Sequence, residues 1–160
     1  MKPCVLIPTY DNPRTLAEVV RGALGQCSDV IVVDDGSGPE TKAILAEFKD
    51  VVVMTHEANR GKGAALRTGL DEAHRRGFSH AVSMDSDGQH FATDIPRFFE
   101  EARAHPESLI LGHRDLKAAG AGPGSRFGKV NSNFWTWILT GKHLPDTQTG
   151  FRCYPVGPMS

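Results

Sequence analysis

Short runs of apolar residues alternate along the chain with longer segments in which apolar residues recur every three or four positions. A short apolar run predicts a buried strand, whereas the wider spacing predicts a helix with one apolar face. The predicted strands are Cys4–Ile7, Val30–Val33, Val51–Met54, His80–Met84 and Leu109–Leu111. The predicted helices follow Asn12, cover Glu40–Phe48, cover Gly61–Arg76 and open around Thr93 and Pro96. This alternation predicts an α/β fold with a mostly parallel central sheet flanked by helices.

Local signals place some helix ends. Asn12 is predicted to cap the first helix with Pro13 at its first helical position, and Gly77 is predicted to stop the third helix.

After Gly112 the alternation of apolar runs and helical spacing ends. Residues 117–125 are rich in Gly and Ala and predict a mobile loop of the kind that forms lids. Residues 127–139 predict an amphipathic helix, which either packs on the core or faces an acceptor or membrane surface.

Composition narrows the class of protein. The chain has 160 residues, about one domain's worth, and no internal repeat or linker, so a single domain over 1–160 is expected. Its net charge is −1, and basic and acidic residues are interspersed along the chain. This pattern does not indicate the basic surface that binds nucleic acid. Three widely spaced cysteines favour a reducing, cytoplasmic setting. The first apolar run is too short for a signal peptide or a membrane span.

Polar clusters follow three of the predicted strands. In open parallel sheets, ligands bind beyond the carboxyl ends of the strands, so these clusters are expected to meet at one edge. They are Pro8-Thr9-Tyr10-Asp11-Asn12, Asp34-Asp35-Gly36-Ser37 and Asp85-Ser86-Asp87-Gly88-Gln89-His90.

The third cluster predicts a metal site. Asp85 and Asp87 lie two residues apart after a buried strand, where two unpaired carboxylates would repel each other. A divalent cation removes this conflict, and oxygen ligands favour Mg²⁺ or Mn²⁺. Gln89 could add a carbonyl oxygen. The alternative is an acidic turn that caps the next helix. A metal here would neutralise charge on a departing diphosphate.

The remaining candidates could contact a nucleotide, a phosphate or an acceptor hydroxyl. Asp34 and Asp35 could accept hydrogen bonds from a nucleobase or a ribose, or could cap the next helix. Asp35 is expected to have little packing role. Lys62, at a glycine-rich helix start, could meet an anion, although neither common phosphate-binding fingerprint fits. Arg114 is a candidate phosphate contact, whereas Arg126 is expected to be solvated. Asp146 could be a general base or an ordinary turn residue.

Taken in order, these motifs resemble those of family 2 glycosyltransferases of the GT-A fold, and among them the polyprenyl- and dolichyl-phosphate sugar transferases. The resemblance covers nearly the whole chain. The motifs are IPTYDN, VVDDGSG, NRGKGAALRTG, MDSDGQH, GHR and DTQTGFR.

The resemblance implies an inverting transfer of a sugar from a UDP- or GDP-sugar to an acceptor such as a polyprenyl phosphate, with peripheral membrane contact at the inner face. Residues matching the nucleotide site would be Pro8, Thr9, Tyr10 and Asp35, with Asp34 beside them. Asp85, Asp87 and Gln89 would match the metal and diphosphate site, Arg114 a donor-phosphate contact, and Asp146 a base or acceptor-site residue. The family often has Asn-Glu where this chain has Asp11-Asn12, which puts a role for position 12 in doubt.

The family also continues beyond GFR with acceptor-binding helices, so this chain is expected to lack a C-terminal acceptor or membrane part. Two rival functions stay open. One is a sugar-1-phosphate nucleotidyltransferase, which would carry a glycine-rich basic loop after the first strand instead of Pro8-Thr9-Tyr10. The other is a non-catalytic nucleotide-sugar-binding module, which would bind a sugar nucleotide without transferring or hydrolysing it.

Overall fold

The computed structural model describes residues 1–112 and 150–157. Strands and helices alternate through this part of the chain, and every predicted strand is present to within two residues. The elements are β1 (Pro3–Thr9), α1 (Leu16–Leu24), β2 (Val30–Asp34), α2 (Pro39–Ala46), β3 (Val52–Thr55), α3 (Lys62–Arg75), β4 (His80–Ser83), a 3₁₀ turn (Ala92–Asp94), α4 (Ile95–Ala104), β5 (Ile110–Leu111) and β6 (Arg152–Pro155).

The strands form one mixed sheet in the order β3-β2-β1-β4-β6-β5. Strand β1 pairs in parallel with both β2 and β4, and β2 pairs in parallel with β3. Strand β6 runs antiparallel to β4, with Val82 opposite Cys153. The predicted mostly parallel sheet is therefore confirmed, with one antiparallel strand that the sequence pattern did not indicate.

Helices cover both faces of the sheet. Because side chains alternate between faces along a strand, Val5 and Ile7 of β1 point to one layer and Cys4 and Leu6 to the other. The first layer contains α1, Leu45 of α2, and α4. The second layer is formed by α3. The central strands are buried on both faces, as their continuous apolar runs predict.

The predicted start of the first helix is wrong. Helix α1 begins at Leu16, and Thr15 takes the N-cap position without a side-chain cap hydrogen bond. Asn12 instead makes hydrogen bonds across the sheet edge, described below, so its side chain is not available to a helix end. Gly77 does follow the third helix as predicted, with a positive φ of 73°.

The chain divides into two compact units, Met1–Ile110 with Phe151–Ser160, and Leu111–Gly150. The elements above belong to the first unit apart from Leu111, and the expectation of one domain stays a prediction. Five sequence predictions lie outside the described residues: the loop 117–125, the helix 127–139, Arg114, Arg126 and Asp146. Across residues 1–112 and 150–157, no helix combines the length and the apolar character that a membrane span needs.

Candidate functional site

The three polar clusters meet at one edge of the sheet. Strands β2, β1 and β4 are parallel neighbours, so their carboxyl ends lie side by side. The strand order reverses between β1 and β4, which is where open α/β sheets bind ligands. A cavity of about 340 Å³ opens at this point. It is lined by Pro8, Thr9, Tyr10, Asp35, Asn59, Lys62, Ala65, Asp85, Ser86 and Asp87.

The loop after β1 is fastened to the loop after β4. Asn12 Nδ2 donates to the carbonyl oxygen of Ser86 at 2.8 Å, and the Thr15 hydroxyl donates to the same oxygen at 2.6 Å. Asn12 and Thr15 also contact each other at 3.0 Å. Position 12, whose role was in doubt from the sequence, therefore holds the Asp85–Asp87 segment against the first cluster.

The loop after β1 is also fastened to the loop after β2. The Asp11 N–H donates to the Ser37 hydroxyl at 3.0 Å, and the Gly38 N–H donates to Asp11 Oδ1 at 2.7 Å. Asp11 adopts a positive φ of 43°, a conformation that Asp tolerates better than most residues. Asp34 is buried beneath this junction and accepts the Ser37 N–H on Oδ1 at 2.9 Å. Asp34 does not line the cavity.

Asp35 connects the second cluster to the start of α3. Its Oδ1 accepts the Arg60 N–H at 3.0 Å, and its Oδ2 accepts the Gly61 N–H at 2.8 Å. His56 Nδ1 lies 2.6 Å from Oδ1, while its Nε2 lies 2.9 Å from the Thr68 hydroxyl. Burial alone would raise the pKa of Asp35, but these contacts hold it below its ordinary value. The expectation that Asp35 has little packing role is wrong, because the carboxylate is buried and fixes the 59–61 segment.

Asp85 stands between two nitrogen-bearing side chains. Lys62 Nζ lies 2.6 Å from Oδ1, and His90 Nε2 lies 3.7 Å from Oδ2. Burial raises the pKa of Asp85, but the contacts with His90 and Lys62 outweigh burial and lower it to about 2. Asp85 is therefore an anion throughout the neutral pH range, in a position open to the cavity.

Asp87 is exposed, lines the same cavity and accepts the Gln89 N–H on Oδ1 at 3.0 Å. Gln89 itself is exposed and is not among the residues that line the cavity. Of the predicted metal ligands, the structure thus brings Asp85 and Asp87 together and leaves Gln89 outside.

The residues present fit a hard divalent cation. Within residues 1–112 and 150–157, no group of three His, Cys, Asp or Glu side chains forms a closed metal cage. Mg²⁺-type sites, however, commonly use one or two carboxylates, with waters and substrate phosphates as the other ligands. Asp85 and Asp87 offer that donor set at the cavity wall. The position beside Asp85 Oδ1 already holds a positive charge, the Lys62 ammonium.

Sequence reasoning did not identify His56 or Thr15 as contributors to the site, and it gave no individual role to Asn59 or His90, although both lie in motifs that it singled out. His56 and Thr15 act through side-chain contacts with residues far along the chain, which no local spacing reveals. His90 is the last residue of the third polar cluster. Its ring is buried against Phe151, with 5.0 Å between the ring centroids.

A mostly parallel sheet with helices on both faces and an acidic cavity at its switch point is typical of open α/β folds, which bind ligands at this place. The sequence pattern of the family "Glycosyl transferase family 2" matches residues 4–157. The chain therefore belongs to glycosyl transferase family 2.

Two curated relatives illustrate the branch of the family. The chain is 29% identical to the UDP-N-acetylglucosamine–dolichyl-phosphate N-acetylglucosaminyltransferase of Methanococcus voltae, over 94% of this chain and 68% of that protein. It is 32% identical to the polyprenol monophosphomannose synthase of Mycolicibacterium smegmatis, over 94% of this chain and 60% of that protein. The chain thus spans 60% to 68% of the length of these two relatives.

A solved structure supports the fold. Glucosyl-3-phosphoglycerate synthase from Mycobacterium tuberculosis, in complex with Mn²⁺, UDP and phosphoglyceric acid, matches with a TM-score of 0.76 and 16% identity. The match covers 97% of this chain and 56% of that one. At this identity the likeness establishes the GT-A fold and leaves the substrate open.

Proposed function

We propose that this chain carries the donor-binding part of an inverting, metal-dependent glycosyltransferase that takes a sugar from a UDP- or GDP-sugar. The observation that carries the proposal is the cavity, whose lining includes six of the eight predicted donor-binding residues. They are Pro8, Thr9, Tyr10, Asp35, Lys62 and Asp85.

The groups around the cavity suit a nucleoside diphosphate. The Thr9 hydroxyl is buried and has no hydrogen-bond partner within the described residues, and Thr9 is one of the residues that line the cavity. Tyr10 is half-exposed at the rim, where its ring could lie against a base. Lys62, at the first turn of α3, supplies a positive charge where the helix dipole also favours an anion.

Asp85 and Asp87 would hold Mg²⁺ or Mn²⁺, which supplies compensation for the negative charge that develops on the departing diphosphate. The transfer would be a single displacement: an acceptor oxygen bonds to the anomeric carbon, and the bond from that carbon to the diphosphate oxygen breaks. Arg114, which lies outside the described residues, remains a candidate phosphate contact.

The relatives' names suggest a lipid-phosphate acceptor, and Asp146 provides a way to test this. A phosphate acceptor is already ionised near neutral pH, whereas an alcohol must lose a proton as it attacks. With a polyprenyl phosphate acceptor, Asp146→Asn should change the rate by less than tenfold if Asp146 is only an acceptor contact. With an alcohol acceptor, loss of a general base should cost about 10²–10⁴-fold.

The primary test is titration calorimetry with UDP, GDP, CDP and dTDP, each with Mn²⁺ and with chelator. We expect one of the first two to bind, and to bind more tightly with Mn²⁺. Asp87→Asn should abolish the metal effect without lowering the melting temperature, since Asn caps turns as well as Asp. Equal affinity in Mn²⁺ and chelator would refute the metal-dependent proposal. Hydrolysis or transfer of the bound sugar nucleotide would distinguish an enzyme from a binding module.

A further inference from the structure

The two oxygens of the Asp85 carboxylate have different neighbours. Oδ1 lies 2.6 Å from the Lys62 ammonium, whereas Oδ2 lies 3.7 Å from the His90 ring nitrogen, which is beyond hydrogen-bond distance. The Asp85 side chain itself is 22% exposed, at the boundary between the protein interior and the cavity.

Lys62 can leave this contact easily. Its side chain is 58% exposed, and a four-carbon stem joins its ammonium to the first residue of α3. On the lysine side the pair is exposed, so the ammonium is well solvated when it leaves the carboxylate. Lys62 also lines the cavity, so its ammonium can move toward a ligand while the backbone stays in place.

His90 is fixed in its position. Its side chain is 3% exposed, and its ring packs on Phe151, which in turn packs on Phe98 with 4.4 Å between centroids. Phe98 and Phe151 belong to the main hydrophobic core. Moving the His90 ring would therefore disturb core packing.

We propose that Lys62 is an exchangeable counterion of Asp85: its ammonium holds Oδ1 in the free protein, yields that oxygen to the divalent cation, and then pairs with the donor's diphosphate. This assignment rests on the proposed function. It gives the cation site a charge partner before any ligand arrives. It also couples the binding of the two ligands, because the ammonium of Lys62 competes with the divalent cation for Asp85 but attracts the diphosphate.

Opposite effects on two ligands distinguish this role from a structural one. Without nucleotide, Mn²⁺ must displace Lys62, so Lys62→Met should bind Mn²⁺ about two- to tenfold more tightly than the wild type. At saturating Mn²⁺, the same variant should bind UDP or GDP about tenfold more weakly, because the diphosphate loses its ammonium partner. A residue that merely maintains the fold would shift both affinities in the same direction.

The experiment measures Mn²⁺ binding by electron paramagnetic resonance and nucleotide binding by calorimetry, beside melting curves. Lys42→Met is the matched control, since Lys42 is an exposed lysine of α2 that does not line the cavity. It should match the wild type in both assays.

Mn²⁺ affinity that is unchanged or weaker in Lys62→Met would overturn the exchange, even if nucleotide binding remained metal-dependent. If the wild type bound neither Mn²⁺ nor any of the nucleotides, the proposed function would fail, and this inference with it.

Discussion

Gly36 lies where the second cluster approaches the 58–59 segment, and replacing it should test how closely those two segments must pack. The residue has a positive φ of 80°, and a Cβ built on it would lie 2.5 Å from the Ala58 carbonyl carbon and 2.7 Å from the Asn59 nitrogen. These are backbone atoms, which cannot rotate away as a side chain could. Gly36→Ala should therefore force the two segments apart.

The cost has two parts. The left-handed conformation costs an alanine about 1–2 kcal/mol, and the overpacking adds about 1–3 kcal/mol. Gly77 isolates the first part, because it has a φ of 73° and a Cβ there would meet nothing within 4 Å. Gly36→Ala should thus be less stable than Gly77→Ala by about 1–3 kcal/mol, or about 2–12 °C in melting temperature for a chain of this size.

Melting curves and urea unfolding of both variants measure this difference. Gly63→Ala is a third control, since a Cβ there meets nothing and alanine favours the helix, so stability should be unchanged or slightly raised. Because Asn59 lines the cavity, Gly36→Ala should also weaken nucleotide binding, while Gly77→Ala should leave it intact. Equal losses of stability in the two glycine variants would refute the close-approach explanation.

Three further predictions concern individual side chains. Thr9→Val should leave the melting temperature unchanged or raise it, because it removes a buried hydroxyl with no partner in the described residues, yet should weaken nucleotide binding several-fold by calorimetry. Asp35→Ala should lower stability by about 2–5 kcal/mol in urea unfolding, since two backbone N–H groups lose their acceptor; a loss of binding alone would contradict this. Arg75 and Arg76 lower the pKa of Glu72 from 4.5 to about 2, so its stabilising effect is present above pH 4.5 and is lost as the pH falls toward 2. Because those arginines are exposed, Glu72→Gln should cost only about 1 kcal/mol at pH 7, and unfolding curves of the two proteins should converge near pH 2.

The strands and most helices were predictable because their signals are local. Continuous apolar runs mark β1, β2 and β4, and the three-to-four spacing marks α3. Strand β6 was not predictable in the same way. Its sequence, Arg152–Pro155, has no apolar run, and it becomes a strand by pairing with β4, about 70 residues earlier in the chain.

The candidate site was predictable in outline for a related reason. Carboxyl ends of parallel strands share an edge, so polar residues that follow such strands must converge. The partners of those residues were not predictable, because they depend on distances between loops. Asn12 looks like a helix cap in the sequence, but its amide reaches Ser86 on another loop. Asp35 looks like a free ligand, but it accepts hydrogen bonds from Arg60 and Gly61.

These contacts change how substitutions at the site should be interpreted. Asp35 holds the segment that contains Asn59 and leads into Lys62, and both of these residues line the cavity. Removing the Asp35 carboxylate would therefore displace them, in addition to removing any contact that Asp35 itself makes with a ligand. Asp87 is exposed, and within the described residues its hydrogen-bond partner is the N–H of Gln89, so Asp87→Asn changes charge with little change in shape. Loss of binding in an Asp35 variant therefore cannot by itself assign a nucleotide contact. Loss of metal-dependent binding in Asp87→Asn, with an unchanged melting curve, would show that binding depends on the charge of Asp87 and that this side chain is not needed for the fold.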